Sequence, residues 1–228
     1  ALSCAAMRVL YHLWLSPFSR AIRLVLAEKG LEFSLKVEKV WERRAEFLAL
    51  NPAAEVPVLI EPDGTVLAGA SPIAEYLDEV YREKLLMGLN PADRAEVRRV
   101  AAWFDHKMNN EVTDGLVTEK IMKRFLGFGT PDSTVLRTAK SNLGYHLEYI
   151  TYLAERRRWL AGDHFSLGDI AAAAHLSVVD YLGDVPWDVH EPAKEWYARV
   201  KSRPSFRPLL ADHIPGAPPP KHYADLDF

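Results

Sequence analysis

Two short segments of the chain could hold an anion and an extended backbone, and a third lies beside them. Ser16-Pro17-Phe18-Ser19-Arg20 sets two hydroxyls where an apolar run gives way to a helix start. Free N–H groups and the helix dipole favour an anion there, a thiolate included, and the Ser16 hydroxyl could donate to it. The same serine also reads as a plain N-cap, because serine is a favoured capping residue. Val56-Pro57 either presents the Val56 main chain to an extended ligand, as strand-edge recognition requires, or merely starts a strand. Ser71-Pro72 opens a further helix, and Glu55 and Ala70 stand immediately before these last two pairs.

Periodicity gives the secondary structure around these residues. Arg8 to Leu15 is β-prone, and Ser16-Pro17 then supplies an N-cap and a proline at the first helical position. Ile22, Val25, Leu26 and Lys29 mark a helix face stopped by Gly30, its last member expected to snorkel. Glu32 to Val40 reads as a second strand and Arg43 to Leu50 as a short helix ended by Asn51-Pro52. Val58 to Ile60 and Thr65 to Leu67 flank an Asp63-Gly64 hairpin turn, before a helix over Ser71 to Tyr81. The order βαβαββα predicts a mixed sheet covered by helices. Past Gly88-Leu89-Asn90-Pro91 the pattern is helical, at Pro91 to Arg124, Ser133 to Glu155, Ser166 to Leu182 and Glu191 to Ser202.

With 228 residues, 49% of them hydrophobic, the chain can bury a sizeable core. A formal net charge of −3 argues against nucleic acid as a partner. No stretch reaches the roughly 20 apolar residues a membrane crossing needs, so the expected compartment is the cytoplasm, without membrane insertion. The one cysteine, Cys4, can form no internal disulfide, and eight histidines without ligand spacing predict no metal site.

Several motifs in order resemble the glutathione transferase family. Trp14-Leu-Ser-Pro-Phe18 is similar to its serine-type active-site segment, Asn51-Pro-Ala-Ala-Glu-Val-Pro-Val-Leu59 to its Asn-Pro-x-x-Lys-Val-Pro-x-Leu stretch, and Ala70-Ser71 to its Glu-Ser pair. Ser166-Leu-Gly-Asp169 resembles the family's capping box, and Trp196 with Arg203-Pro-Ser-Phe206 its late signature. The resemblance implies an α+β fold, a thioredoxin-like domain followed by an all-helical one. The expected limits are an N-terminal extension at 1–7, domains at 8–84 and 91–210, and a proline-rich acidic tail at 211–228.

Carried over by position, Ser16 would activate the thiol, the Val56 main chain would meet the cysteinyl part of glutathione, and Ser71 its γ-glutamyl carboxylate. Glu55 stands where many members have a lysine for a glutathione carboxylate, and Ala70 where a glutamate meets the γ-glutamyl ammonium. Two lost charge-assisted contacts of about 1.5 to 3 kcal/mol each would weaken glutathione by roughly two to four powers of ten. Exposure would shrink the effect of Glu55, and Arg20 or Arg43 could replace the missing cation. The expectation is a chain with no cofactor, glutathione included, and no assured catalytic residue; a serine-type transferase acting through Ser16 on small electrophiles is the alternative.

A disabled pocket moves function to the surface. Trp41, in a charged stretch, reads as an interface anchor or a packed residue. The basic, aromatic run Lys120 to Gly129, with Phe128, is a docking site or a solvated helix end, and the tail carrying Asp225 and Asp227 is a strap, a docking element or disordered. The whole chain is also similar to glutathione-transferase-like division proteins of alphaproteobacteria. That resemblance implies a homodimer that binds FtsZ filaments at the division site and regulates constriction without a required transferase reaction.

Overall fold

The computed structural model describes residues 7–228 and divides into two compact units between Leu86 and Met87. Cys4 and the expected extension, apart from Met7, lie outside the described residues.

The first unit runs β1 (Val9–His12), α1 (Pro17–Glu28), β2 (Ser34–Val37), a 3-10 turn (Val40–Glu42), α2 (Ala45–Leu50), β3 (Val58–Ile60), β4 (Val66–Ala68) and α3 (Ala70–Val80). The sheet order is β2-β1-β3-β4; β1 and β2 are parallel and the other neighbours antiparallel. Alternation along the strands makes two apolar faces. Tyr11 and Val58 turn to Phe47 of α2, while Leu10 and Leu59, paired across β1 and β3, turn the other way. There α1 and α3 pack on each other.

The sequence overran both early strands, which keep only four residues each. The second helix starts at Ala45 rather than Arg43, because Arg43 takes a left-handed backbone (φ 48°) after the 3-10 turn. Lys29 does not snorkel. Its ammonium is buried and donates to Asp78 (2.8 Å) and to the carbonyls of Tyr81 (2.8 Å) and Lys84 (2.6 Å), tying α1 to the end of α3.

The second unit is helical. A continuous helical stretch at 91–126 contains α4 (Pro91–Ala102), a π-helical segment (Trp103–Thr113), α5 (Asp114–Val117), a second π-helical segment (Thr118–Met122) and α6 (Lys123–Leu126). Then follow α7 (Ser133–Ala154), α8 (Leu167–Tyr181), α9 (Glu191–Lys201) and the short α10 (Arg207–Leu210). Every residue of α8 is buried, and α8 packs on α4, the first π-helical segment and α9. Its N-terminus is the expected capping box, extended into a knot: Asp169 Oδ1 accepts from Leu160 N and Trp196 Nε1, both at 2.9 Å, and Oδ2 from Ser166 N at 3.1 Å. Among the described residues no helix is long and apolar enough to cross a membrane.

Candidate functional site

Strand register gathers the first unit's candidate residues at one end of the sheet. Tyr11 pairs with Val58 and Val58 with Ala68, so the chain leaves β1, enters β3 and leaves β4 at the same end. Ser16, Val56, Ala70 and Ser71 all follow or precede those strand ends by a few residues. The end of β2 lies there too, because Glu38 N bonds His12 O, which brings Trp41 to this end.

Ser16 is the N-cap of α1; its Oγ accepts from Ser19 N at 3.1 Å. That bond uses an oxygen lone pair and leaves the hydroxyl proton free to donate, so capping and anion binding are compatible. The loop after α2 is shaped by Asn51, whose side chain donates to Glu55 O (2.9 Å) and accepts from Ala53 N (3.2 Å). It delivers Val56 to a cis Val56–Pro57 peptide bond. Gly69, with φ 93° that favours glycine, bonds its N–H to Pro57 O (3.0 Å) and caps α3. The amides of Ala70 and Ser71 belong to the first helical turn and have no intrahelical acceptor.

This end of the sheet therefore offers a hydroxyl, a strand-like main chain and two helix-start amides, a set suited to an anionic or peptide-like ligand. At two positions beside it the side chains supply no matching charge. Glu55 is exposed and carries the wrong sign for a carboxylate, and Ala70 has no side-chain acceptor. Of the two substitute cations, Arg20 is excluded: it is fully buried with Nε on Trp14 O at 2.7 Å. Arg43 remains exposed, while Arg44 is committed to the buried carboxylate of Glu38 (2.8 Å). Trp41 is 39% exposed, as an anchor would be.

The other surface residues lie in the second unit. Phe128 is exposed just beyond α6. Asp225 and Asp227 are exposed, but the segment carrying them is held down. Tyr223 is fully buried, donates to Leu209 O (2.6 Å) and packs edge-on against Tyr181. Phe228 stands edge-on to Trp187 and Tyr197. Lys201 lies under this strap, donating to His222 O (3.0 Å) and Asp225 O with its ammonium 4.0 Å from the Phe228 ring. Burial pushes its pKa down to about 8. Lys201 escaped the sequence reading, since nothing in a helix-terminal lysine signals burial.

Also missed are two networks of the first π-helical segment. His175 joins Thr113 Oγ1 (2.8 Å) to Asp105 Oδ1 (3.1 Å), and His146 joins Trp103 Nε1 (3.0 Å) to Glu111 Oε2 (3.0 Å). The first has the order of a nucleophilic triad, but Thr113 is buried, so the network serves packing. Partners 35 to 70 positions apart leave no sequence signal.

Comparisons with known proteins define the class. Residues 15–80 match the glutathione S-transferase N-terminal domain and residues 117–204 the C-terminal domain of the same name. The chain belongs to the glutathione S-transferase family. Among its relatives is FtsZ-localized protein A of Caulobacter vibrioides, 49% identical over 97% of this chain and 98% of that protein. Two solved structures are equally close in extent. A glutathione S-transferase from Rhodospirillum rubrum is 56% identical with a TM-score of 0.96, covering 97% of this chain and all (100%) of that one. FzlA from C. crescentus is 48% identical with a TM-score of 0.94 over the same shares, 97% and 100%.

Proposed function

We propose that this protein is a non-catalytic adapter on the glutathione transferase fold that binds FtsZ filaments as a homodimer and regulates bacterial constriction. The observation that carries the reading is the 49% identity, end to end, with a protein named for its localisation with FtsZ. Glu55 and Ala70 support it, because Glu55 would repel a ligand carboxylate at its position and Ala70 offers no side-chain acceptor to an ammonium. Glutathione is then not a cofactor, and Ser16, Val56 and Ser71 are remnants of its site. Trp41, Phe128, Asp225 and Asp227 are the partner-facing residues of this reading.

Co-sedimentation with polymerised FtsZ tests it: the protein should pellet with the polymer at micromolar concentration, and staying in the supernatant would refute the adapter. The competing reading, a serine-type transferase, is favoured by the free donor of Ser16 at the start of α1. It predicts saturable glutathione binding by calorimetry and a conjugation activity abolished by Ser16→Ala.

A further inference from the structure

At the far end of the long helical stretch, the chain turns through Gly127 (φ 71°), and Phe128 N bonds Lys123 O at 3.0 Å in a C-terminal capping arrangement. The cap fixes the backbone of Phe128 while its side chain stays 70% exposed. Phe125, one turn earlier, is 45% exposed and has the Arg124 guanidinium 5.4 Å from its ring centroid. Val135 of α7 is exposed as well.

The cations here divide sharply. Lys120 and Lys140 both pair with Asp184, at 2.5 and 3.3 Å, and Lys123 with Glu119 at 2.7 Å. Arg124 and Arg137 are exposed and, among the described residues, neither pairs with a carboxylate. Two unpaired cations fall short of the cluster of about four to eight that an anionic membrane surface recruits. Two exposed phenyl rings, one of them with an arginine beside it, instead match the composition of protein interface hot spots. Because the helix cap already fixes the backbone here, the ordering entropy lost on binding would be confined to the side chains.

We propose that Arg124, Phe125, Phe128 and Arg137 form a docking site for an acidic protein segment carrying an apolar side chain, borne by the filament partner. The carboxylates would meet Arg124 and Arg137, and the apolar group would seat on Phe125 and Phe128. This rests on the filament-binding reading above and names the surface and the partner chemistry.

The test is co-sedimentation with polymerised FtsZ at low and high salt, for the full chain and for Phe128→Ser, Arg124→Glu and Arg124→Lys, each checked by thermal melting. The expected result is a roughly tenfold or larger loss for Phe128→Ser and Arg124→Glu, near-normal binding for Arg124→Lys, and weaker binding of the full chain at high salt. If the full chain pellets and all variants pellet equally, the tip is not the site, although the adapter reading survives. If the full chain does not pellet at all, the adapter reading and this proposal both fall. Co-sedimentation with vesicles of anionic phospholipid, lost in Phe128→Ser, would overturn it in favour of a membrane surface. Self-association lost in the same variant would overturn it in favour of a second copy.

Discussion

Glu55 and Ala70 carry the argument about ligand binding because each stands at an otherwise intact backbone position. Asn51 still shapes the loop, Gly69 still bonds Pro57 O, and the first amides of α3 still lack intrahelical acceptors. If charge alone excludes glutathione, the double variant Glu55→Lys, Ala70→Glu should restore one cation and one acceptor. Glu55 is exposed, so its contact lies at the lower end of the usual range; a combined gain of about 3 kcal/mol, roughly 100-fold in affinity, is expected. Calorimetry with glutathione measures it, and an unchanged affinity would mean that shape rather than charge closes the site.

The elements supply two further tests, one at the head of α8 and one beneath the tail. Burial raises the Asp169 pKa from 3.8 to about 6, against the pull of its three N–H donors. The folded state therefore binds this proton more tightly than the unfolded chain. Its contribution to stability is fully present below about pH 4 and is lost as the pH rises toward 6. An asparagine cannot titrate, and its NH₂ would face the Ser166 or Leu160 N–H as donor against donor. Asp169→Asn should cost about 1 to 3 kcal/mol at pH 7, and the gap from the unsubstituted protein should be wider at pH 4.5. Urea unfolding at the two pH values checks both statements; a gap that narrows at low pH contradicts the sign. Under the tail, Lys201→Met keeps a side chain of similar length against Phe228 but removes the donors to His222 O and Asp225 O. Limited proteolysis should then cut after residue 210 about tenfold faster, because two carbonyls lose their partner and local opening becomes easier. An unchanged cleavage rate would show that Tyr223 and Phe228 hold the strap unaided.

These elements also show how far sequence reaches. The capping box at Ser166, the proline-led start of α1 and the Asp63-Gly64 turn were legible because their partners lie within a few residues. The sheet end that collects Ser16, Val56 and Ser71 was legible through motifs in order. What stayed hidden depends on distant pairing: Lys29 buried against α3, Arg20 spent on Trp14 O, and the tail fastened over Lys201. Periodicity marks Lys29 as the edge of an apolar face, and only the fold supplies three oxygens for its ammonium.

At the scale of the whole molecule, filament binding by an adapter depends on how many copies act together. One face of α7 carries Tyr145, Tyr149 and Tyr152, spaced to line up along a helix. Tyr145 is 66% and Tyr152 51% exposed, while Tyr149 lies tilted against Trp103 (ring centroids 4.3 Å apart) and its hydroxyl accepts from Arg99 at 2.7 Å. Arg156 lies 3.9 Å from the Tyr152 ring centroid, so aromatic rings and arginines alternate on the surface, as they do in interface hot spots. If the chain pairs as proposed, we expect the homodimer to form through this face. Paired Tyr145→Asp and Tyr152→Asp substitutions put two charges on it without touching the buried side of α7, and the protein should stay folded. Sedimentation velocity should then report the monomer mass in place of twice that mass. On the adapter reading proposed above, a dimer would engage neighbouring filament subunits with two sites, and losing one would remove an avidity of about 10² to 10⁴. The monomeric variant should therefore need roughly 100-fold more protein to pellet with polymerised FtsZ. A variant that remains dimeric moves the interface to another face, and a monomer that pellets as well as the dimer removes bivalency from the mechanism.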